Sequence, residues 1–313
     1  MESKLRIIRK KKSEAENAHL DPLMRALKAL HSAGAPESMT AEELERQRRS
    51  QEVLGRLTAP MAGMDYEEFS LGGMNAAWMR LKAPHGSRHA ILYCHGGGYT
   101  SGNLGYARVL ASKLAHVMGY DVLSFEYRLA PEHPYPAAVE DALRAWDHLM
   151  LLGYGARDIV LAGDSAGGNL ALVLCHRLKA AGRRLPGALV LMSPWTDMTM
   201  SGASYAERAE SDPMLTPEYI EAVRTAYAGG RDYASPDLSP LFADLTGFPP
   251  TLIQAGDHEI LYSDAEMLCH ALERAGVPCR FEVSEGMWHV FQMFPLRKAA
   301  AAMESVARFL LER

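Results

Sequence analysis

Gly163-Asp164-Ser165-Ala166-Gly167 sets one serine between two glycines in the pattern G-x-S-x-G. A serine hydroxyl is a weak nucleophile until a neighbouring base takes its proton. A strained strand-to-helix turn can hold it clear of the backbone, and flanking glycines let strand and helix approach. The surroundings fit that turn: 159–162 reads as a strand and 168–181 as a helix. The helix start also aims backbone N–H groups at developing negative charge. At ordinary glycine and serine frequencies the motif arises by chance in roughly one chain in ten of this length, so further residues must carry the reading.

His95-Gly96-Gly97-Gly98 follows directly on the apolar run 90–94. A tetrahedral oxyanion needs two or three converging N–H donors, and glycines let the backbone come close enough to supply them. The expected donors are the amides of Gly97, Gly98 and Ala166. A phosphate-binding loop of the Walker type would need Gly-Lys-Ser/Thr, which this motif lacks. His95 reads as a prop for the loop rather than a proton carrier, and Asp164 as a loop anchor.

The serine also needs a base, and the base an orienting carboxylate. On a strand-turn-helix scaffold of this kind the chain order is serine, acid, histidine. His289 stands just past the strand-like run 280–283 and before the final helical run. Of the 12 histidines it has the right position; His258 and His270 lie earlier, and His270 falls within a helix. The acid should follow the run 251–255, where the chain reads Gly256-Asp257-His258-Glu259-Ile260-Leu261. Asp257 and Glu259 both qualify, Asp264 lies further on, and periodicity does not choose between them.

The elements that must position these residues alternate. Strand patterns at 66–71 and 76–81 flank a Gly72-Gly73 turn, and others follow at 90–94, 121–125, 159–162, 188–192, 251–255 and 280–283. Helical patterns fall at 106–118, 139–150, 168–181, 264–275 (stopped by Gly276) and 299–311. Buried strands alternating with helices imply an α/β fold with a mostly parallel sheet covered on both faces. The first 60 or so residues read as helical without strand patterns. Thr40-Ala41-Glu42-Glu43 has capping-box spacing, and Leu44, Val53, Leu54 and Leu57 could form an apolar stripe. The stretch from about 197 to 248 breaks the rhythm and reads as a functional lobe or lid.

The bulk properties agree. The 313 residues are 48% apolar and 23% charged, with a net charge of −5, which argues against a nucleic-acid partner. The basic start, MESKLRIIRKKK, reads as a solvated arm and lacks the apolar core of a signal peptide. No run approaches the roughly 18–20 apolar residues of a membrane span. Cys94, Cys175, Cys269 and Cys279 lack metal-ligand spacing and read as reduced, which with the missing signal suggests a cytoplasmic protein. No metal is expected.

Taken together, His95-Gly96-Gly97-Gly98, Gly163-Asp164-Ser165-Ala166-Gly167-Gly168-Asn169 and Tyr127-Arg128-Leu129-Ala130-Pro131-Glu132-His133-Pro134 resemble the hormone-sensitive lipase family of α/β-hydrolases, from about residue 60 to the C-terminus. The resemblance implies an α/β-hydrolase catalytic domain over 61–313 and a helical cap built from 1–60 and an insertion at about 197–248. It implies cofactor-free hydrolysis of short- to medium-chain acyl esters, and a homodimer by family analogy. The family's usual acid motif is Asp-Pro-Leu, its aspartate 30 residues before the histidine; here that position holds Glu259-Ile260-Leu261. The resemblance therefore points to Ser165, Glu259 and His289 as the triad. The Gly-Asp-x-Glu-x-Leu form is also similar to a branch containing bacterial lactone hydrolases, so a lactone is the alternative substrate. Plant hormone receptors share the scaffold without the histidine, and a non-catalytic small-ligand receptor is the alternative of another class. Arg128 and Glu132 are expected to tie loops under the elbow. Tyr99, Trp195, Met287 and Trp288 are candidates to line the acyl pocket.

Overall fold

The computed structural model describes residues 7–10, 22, 24–28, 40, 42–49, 61–83 and 87–312. Its strands are β1 (Ile7–Lys10), β2 (Met64–Leu71), β3 (Met74–Leu81), β4 (Ala90–Cys94), β5 (Asp121–Phe125), β6 (Ile159–Asp164), β7 (Ala188–Met192), β8 (Thr251–Gly256) and β9 (Cys279–Ser284). The longer connections carry helices α1 (Leu104–Met118), α2 (Ala137–Leu151), α3 (Ala166–Ala180), α4 (Ser204–Glu207), α5 (Pro217–Ala228), α6 (Tyr262–Arg274) and α7 (Arg297–Leu311). The strands form one sheet in the order β1-β9-β8-β7-β6-β4-β5-β3-β2. Among the described residues only the β2–β3 and β3–β5 pairings are antiparallel.

Every residue of β4, β6, β7 and β8 is buried. That is why these strands read as mainly apolar runs rather than as alternation, with Gln254 in β8 and Asp164 at the end of β6 as buried polar members. The chain moves one way along the sheet from β4 to β5 and the other way from β6 to β7. Right-handed crossovers then put α1 and α3 on opposite faces. Accordingly α1 packs with α7, and α2 with α3. β4 and β6 are neighbours whose outgoing connections diverge, and a crevice opens beyond their C-terminal ends. Both glycine motifs start there.

The N-terminal segment departs from the all-helical expectation. Ile7–Lys10 adds a parallel strand to the sheet edge, Ile7 opposite Phe281 and Lys10 opposite Ser284. A four-residue strand leaves too short a period to read, and its basic neighbours look like a solvated arm. Residues 24–28 and 42–49 are helical. The capping box forms: Glu43 N–H donates to Thr40 Oγ1 at 3.3 Å, and Thr40 N–H to Glu43 Oε2 at 3.2 Å. Leu44 is buried, whereas Ala41, Val53, Leu54 and Leu57 lie outside the described residues.

Elsewhere the element types match and the boundaries shift by a few residues. Asn103 starts α1 two residues before its apolar pattern by accepting from Tyr106 N–H at 2.9 Å. Gly276, at φ +74°, ends α6. Over 197–248 the described chain holds α4, α5 and a short 3-10 turn, and no strand. Among the described residues no helix is long and apolar enough to cross a membrane.

Candidate active site

Ser165 is the hinge between β6 and α3, with φ 53° and ψ −122°. A non-glycine residue in such a region costs on the order of 1–3 kcal/mol and persists only where its surroundings over-determine it. Here they do. Its N–H donates to Met192 O at 3.0 Å, and its carbonyl accepts from Gly168, Asn169 and Trp195 N–H groups. At Gly167 a Cβ would stand 2.0 Å from Cys94 O, so only glycine lets α3 start this close to β4. Ser165 itself is half-buried among fully buried neighbours.

The loop after β4 turns through three residues of positive φ, Gly97 (114°), Gly98 (62°) and Tyr99 (62°). It closes on Gly97 O, which accepts from the N–H groups of Thr100 at 3.1 Å and Ser101 at 3.0 Å. Among the described residues the N–H groups of Gly97, Gly98 and Ala166 have no protein acceptor. Asp164 fastens this loop to the elbow. Its carboxylate accepts from Gly96 N–H at 3.0 Å, from Tyr106 OH at 2.7 Å and from Tyr93 OH. Burial raises the Asp164 carboxyl above its usual range, and the tyrosine and amide donors oppose that. His95 lies flat against Tyr127, ring centroids 4.1 Å apart, with Nδ1 2.8 Å from Gly96 O. Burial pushes its imidazole down to about 4, so it is neutral at pH 7 and cannot relay a proton through an ordinary titration.

His289 lies past β9, and its Nδ1 is 2.9 Å from Glu259 Oε2. Glu259 is wholly buried, and its second oxygen accepts from Gly256 N–H at 2.8 Å. With Nδ1 occupied by a carboxylate, Nε2 is the ring nitrogen left to accept a proton. The next residue, Val290, donates its N–H to Ser193 Oγ at 3.0 Å, one residue beyond the Met192 carbonyl that holds Ser165. Nucleophile loop and histidine loop are thus pinned to adjacent residues at the end of β7.

The other candidates for acid and base are engaged elsewhere. Asp257 accepts from Gly286 N–H, and His258 donates its N–H to Met287 O at 3.0 Å. His270 is exposed on α6. Asp264 accepts from the Thr196 and Asp197 N–H groups at 2.7 and 2.9 Å, and burial pushes it up to about 8. Tyr99, Trp195, Met287 and Trp288 are each at most 1% exposed, so their side chains offer no open surface to a ligand. Tyr99 stacks on Tyr227 and Trp288 packs edge-on against Phe294. Large apolar side chains near a motif cannot be sorted into lining and core by sequence alone.

Arg128 ties its loop to α2 through Asp141 and Glu140. Glu132 does not serve under the elbow. It forms a bidentate pair with Arg48 from the N-terminal segment, and Arg48 Nε also donates to Thr100 O at 2.9 Å. A partner some 80 residues away in sequence leaves no local signal. A surface groove of about 610 Å³ lies by Arg157, Arg184, Pro186 and Phe248 at the opposite, N-terminal ends of β6–β8, away from all of these groups.

A partly exposed serine on a strained elbow, amides left without acceptors and a buried carboxylate on an imidazole define the chemistry of a serine hydrolase on an α/β scaffold. Residues 91–293, more than half the chain, match the family model described as the alpha/beta hydrolase fold. An acetyl-hydrolase from Streptomyces hygroscopicus is 38% identical over 84% of this chain and 86% of its own length. An esterase from Acinetobacter venetianus is 37% identical over 73% and 77%. The crystal structure of an esterase from the bacterial hormone-sensitive lipase family superposes with a TM-score of 0.87 at 35% identity, covering 96% of this chain and 98% of that one. The chain belongs to the hormone-sensitive lipase family of α/β-hydrolases, and it is a carboxylic ester hydrolase.

Proposed function

We infer that the enzyme cleaves short- to medium-chain acyl esters through Ser165, His289 and Glu259 and an acyl-enzyme intermediate. His289 Nε2 takes the Ser165 hydroxyl proton while Oγ bonds to the ester carbonyl carbon. The carbonyl oxygen becomes an oxyanion in front of the Gly97, Gly98 and Ala166 amides. Collapse breaks the ester C–O bond, and the alcohol leaves with the proton from His289. Water, deprotonated by the same imidazole, then releases the carboxylic acid and restores Ser165. Glu259 holds the ring in the tautomer that accepts at Nε2 and balances the transient imidazolium. The helical residues 24–28 and 42–49 and the insertion at about 197–248 act as the cap over this site, while 7–10 belong to the sheet.

The observation that carries the reading is the 2.9 Å contact between His289 Nδ1 and Glu259 Oε2, on a loop pinned through Val290 to Ser193, next to the Met192 carbonyl that holds the strained Ser165. The names of the relatives, an acetyl-hydrolase and an esterase, favour small acyl groups. A p-nitrophenyl ester series from acetate to palmitate, run with the parent and Ser165→Ala, tests it. Activity peaking at short chains and lost by a factor on the order of 10⁴ or more in the variant supports the assignment. Near-parental activity in the variant overturns it. Faster opening of an ε-lactone than of any open-chain ester would move the substrate to lactones with the same residues.

A further inference from the structure

The loop that carries Glu259 is held by the insertion as well as by the sheet. Ser204 Oγ donates to Ile260 O at 2.5 Å and accepts from Ser263 N–H at 2.9 Å. Arg208 Nη1 donates to Asp257 O at 2.6 Å, and Ser211 Oγ to His258 O at 3.3 Å. Ile260 N–H, next to Glu259, donates to Asp212 Oδ2 at 2.9 Å. Asp212 Oδ1 accepts from Met214 N–H at 2.8 Å and Leu215 N–H at 3.1 Å.

A carboxylate is an expensive way to satisfy backbone amides. Asp212 is 3% exposed, and a neutral acceptor would serve Ile260 with a smaller desolvation cost. Three N–H donors aimed at one buried carboxyl favour its ionised form. Two titratable groups act on it from the packed loops: Glu259 past β8, which opposes its charge, and His289 past β9, which favours it. On its own segment, Arg208 is engaged with Asp257 O and lies over the Tyr262 ring at 3.7 Å. Burial pushes the Asp212 carboxyl up to about 6, so the charge is present at pH 7 and is lost in mildly acidic solution.

We propose that Asp212 is a positioning residue of the reaction: from the cap insertion it locks the backbone beside Glu259 and places a second buried carboxylate at the loop that holds the His289 ring. The cap is thereby linked to the proton-transfer machinery and not only to the shape of the pocket. This rests on His289 being the base. Loss of turnover in His289→Gln tests that reading independently, since that variant leaves Asp212 in place.

The test is the pH dependence of kcat and kcat/KM for p-nitrophenyl butyrate in Asp212→Asn and Asp212→Glu, with the full chain. In Asp212→Asn, kcat should fall by about 10-fold with KM within about twofold, by analogy with other residues that orient a functional ligand from behind. The acid limb of kcat/KM should move to lower pH, because an imidazole without that negative charge gives up its proton more readily. Asp212→Glu should restore part of the shift. Should the Asn variant fail to fold, the parent carries the test. The acid limb of its log kcat against pH should be steeper than unit slope, because protonation of Asp212 adds to that of the base. An acid limb that stays at the parental pH in Asp212→Asn, or a parental limb of unit slope, overturns the proposal.

Discussion

Glu259 and Asp257 are two residues apart in one loop, yet their carboxylates reach different partners: Glu259 meets the His289 ring at 2.9 Å, and Asp257 binds the Gly286 amide. The two acids should therefore fail in different ways. Glu259→Gln keeps the shape but removes the charge that orients and balances the imidazole. It should lower kcat by on the order of 10³–10⁴. Asp257→Asn should lower kcat by about tenfold or less and lower the thermal midpoint, since it loosens the loop carrying His289. Steady-state kinetics beside melting curves for both variants check this. A larger kcat loss in the Asp257 variant would reverse the assignment.

Gly97→Ala probes the oxyanion loop. A Cβ there would stand 2.3 Å from Ser101 O, on a residue at φ 114°. The turn must open, and the amides at 97 and 98 move off their target. The expected loss is about 100- to 1000-fold in kcat, as for one missing oxyanion donor. Binding of an uncharged ester should weaken far less, so the KM-to-kcat split is the informative readout.

Arg48 couples the N-terminal segment to the same loop through Thr100 O and Glu132. Arg48→Met keeps the aliphatic stem and deletes the fork. A small displacement of the loop translates into rate, so kcat/KM should drop by roughly 10- to 100-fold. The ion pair is partly exposed, so the melting temperature should change little. A large stability loss with unchanged kinetics would mean that Arg48 only staples the cap.

His95 makes stability pH-dependent. Its folded-state value is about 4, below the ordinary 6.5. Below pH 6.5 the unfolded chain takes up a proton that the folded state refuses, so stability present above 6.5 is lost as pH falls towards 4. In His95→Gln this contribution is absent. The difference between melting temperatures at pH 7.5 and pH 4.5 should be smaller in the variant than in the parent.

Asp264 has the opposite sign. Its folded value of about 8 exceeds the ordinary 3.8, so the folded state holds a proton that the unfolded chain releases. Its contribution to stability falls as pH rises from about 4 through 8. Asp264→Asn should gain stability relative to the parent on going from pH 5 to pH 9. Differential scanning fluorimetry at the two pH values checks this, and a relative loss at pH 9 would contradict it.

The local chemistry was legible from the chain itself. G-x-S-x-G and HGGG are contiguous because a tight turn and a run of amides need neighbouring residues. The strands β4 and β6 to β8 announced themselves because they are buried on both faces and are therefore mostly apolar, with Gln254 admitted by its bonds to Glu282 and Ala302 O. Periodicity and capping residues placed the helices of the catalytic domain to within a few residues. Spacing left two carboxylates in play, and only the resemblance to a family singled out Glu259.

What the tertiary structure alone decided is which distant groups meet. Asp164 joining the two glycine motifs, Arg48 reaching Glu132, β1 closing the sheet edge beside β9 and Asp212 holding the peptide next to Glu259 are contacts across tens to hundreds of residues. Each depends on the sheet order and on how the insertion folds back. Hydrogen bonds and charges act through space over a few ångströms, and a linear pattern carries no record of those distances until the chain is packed.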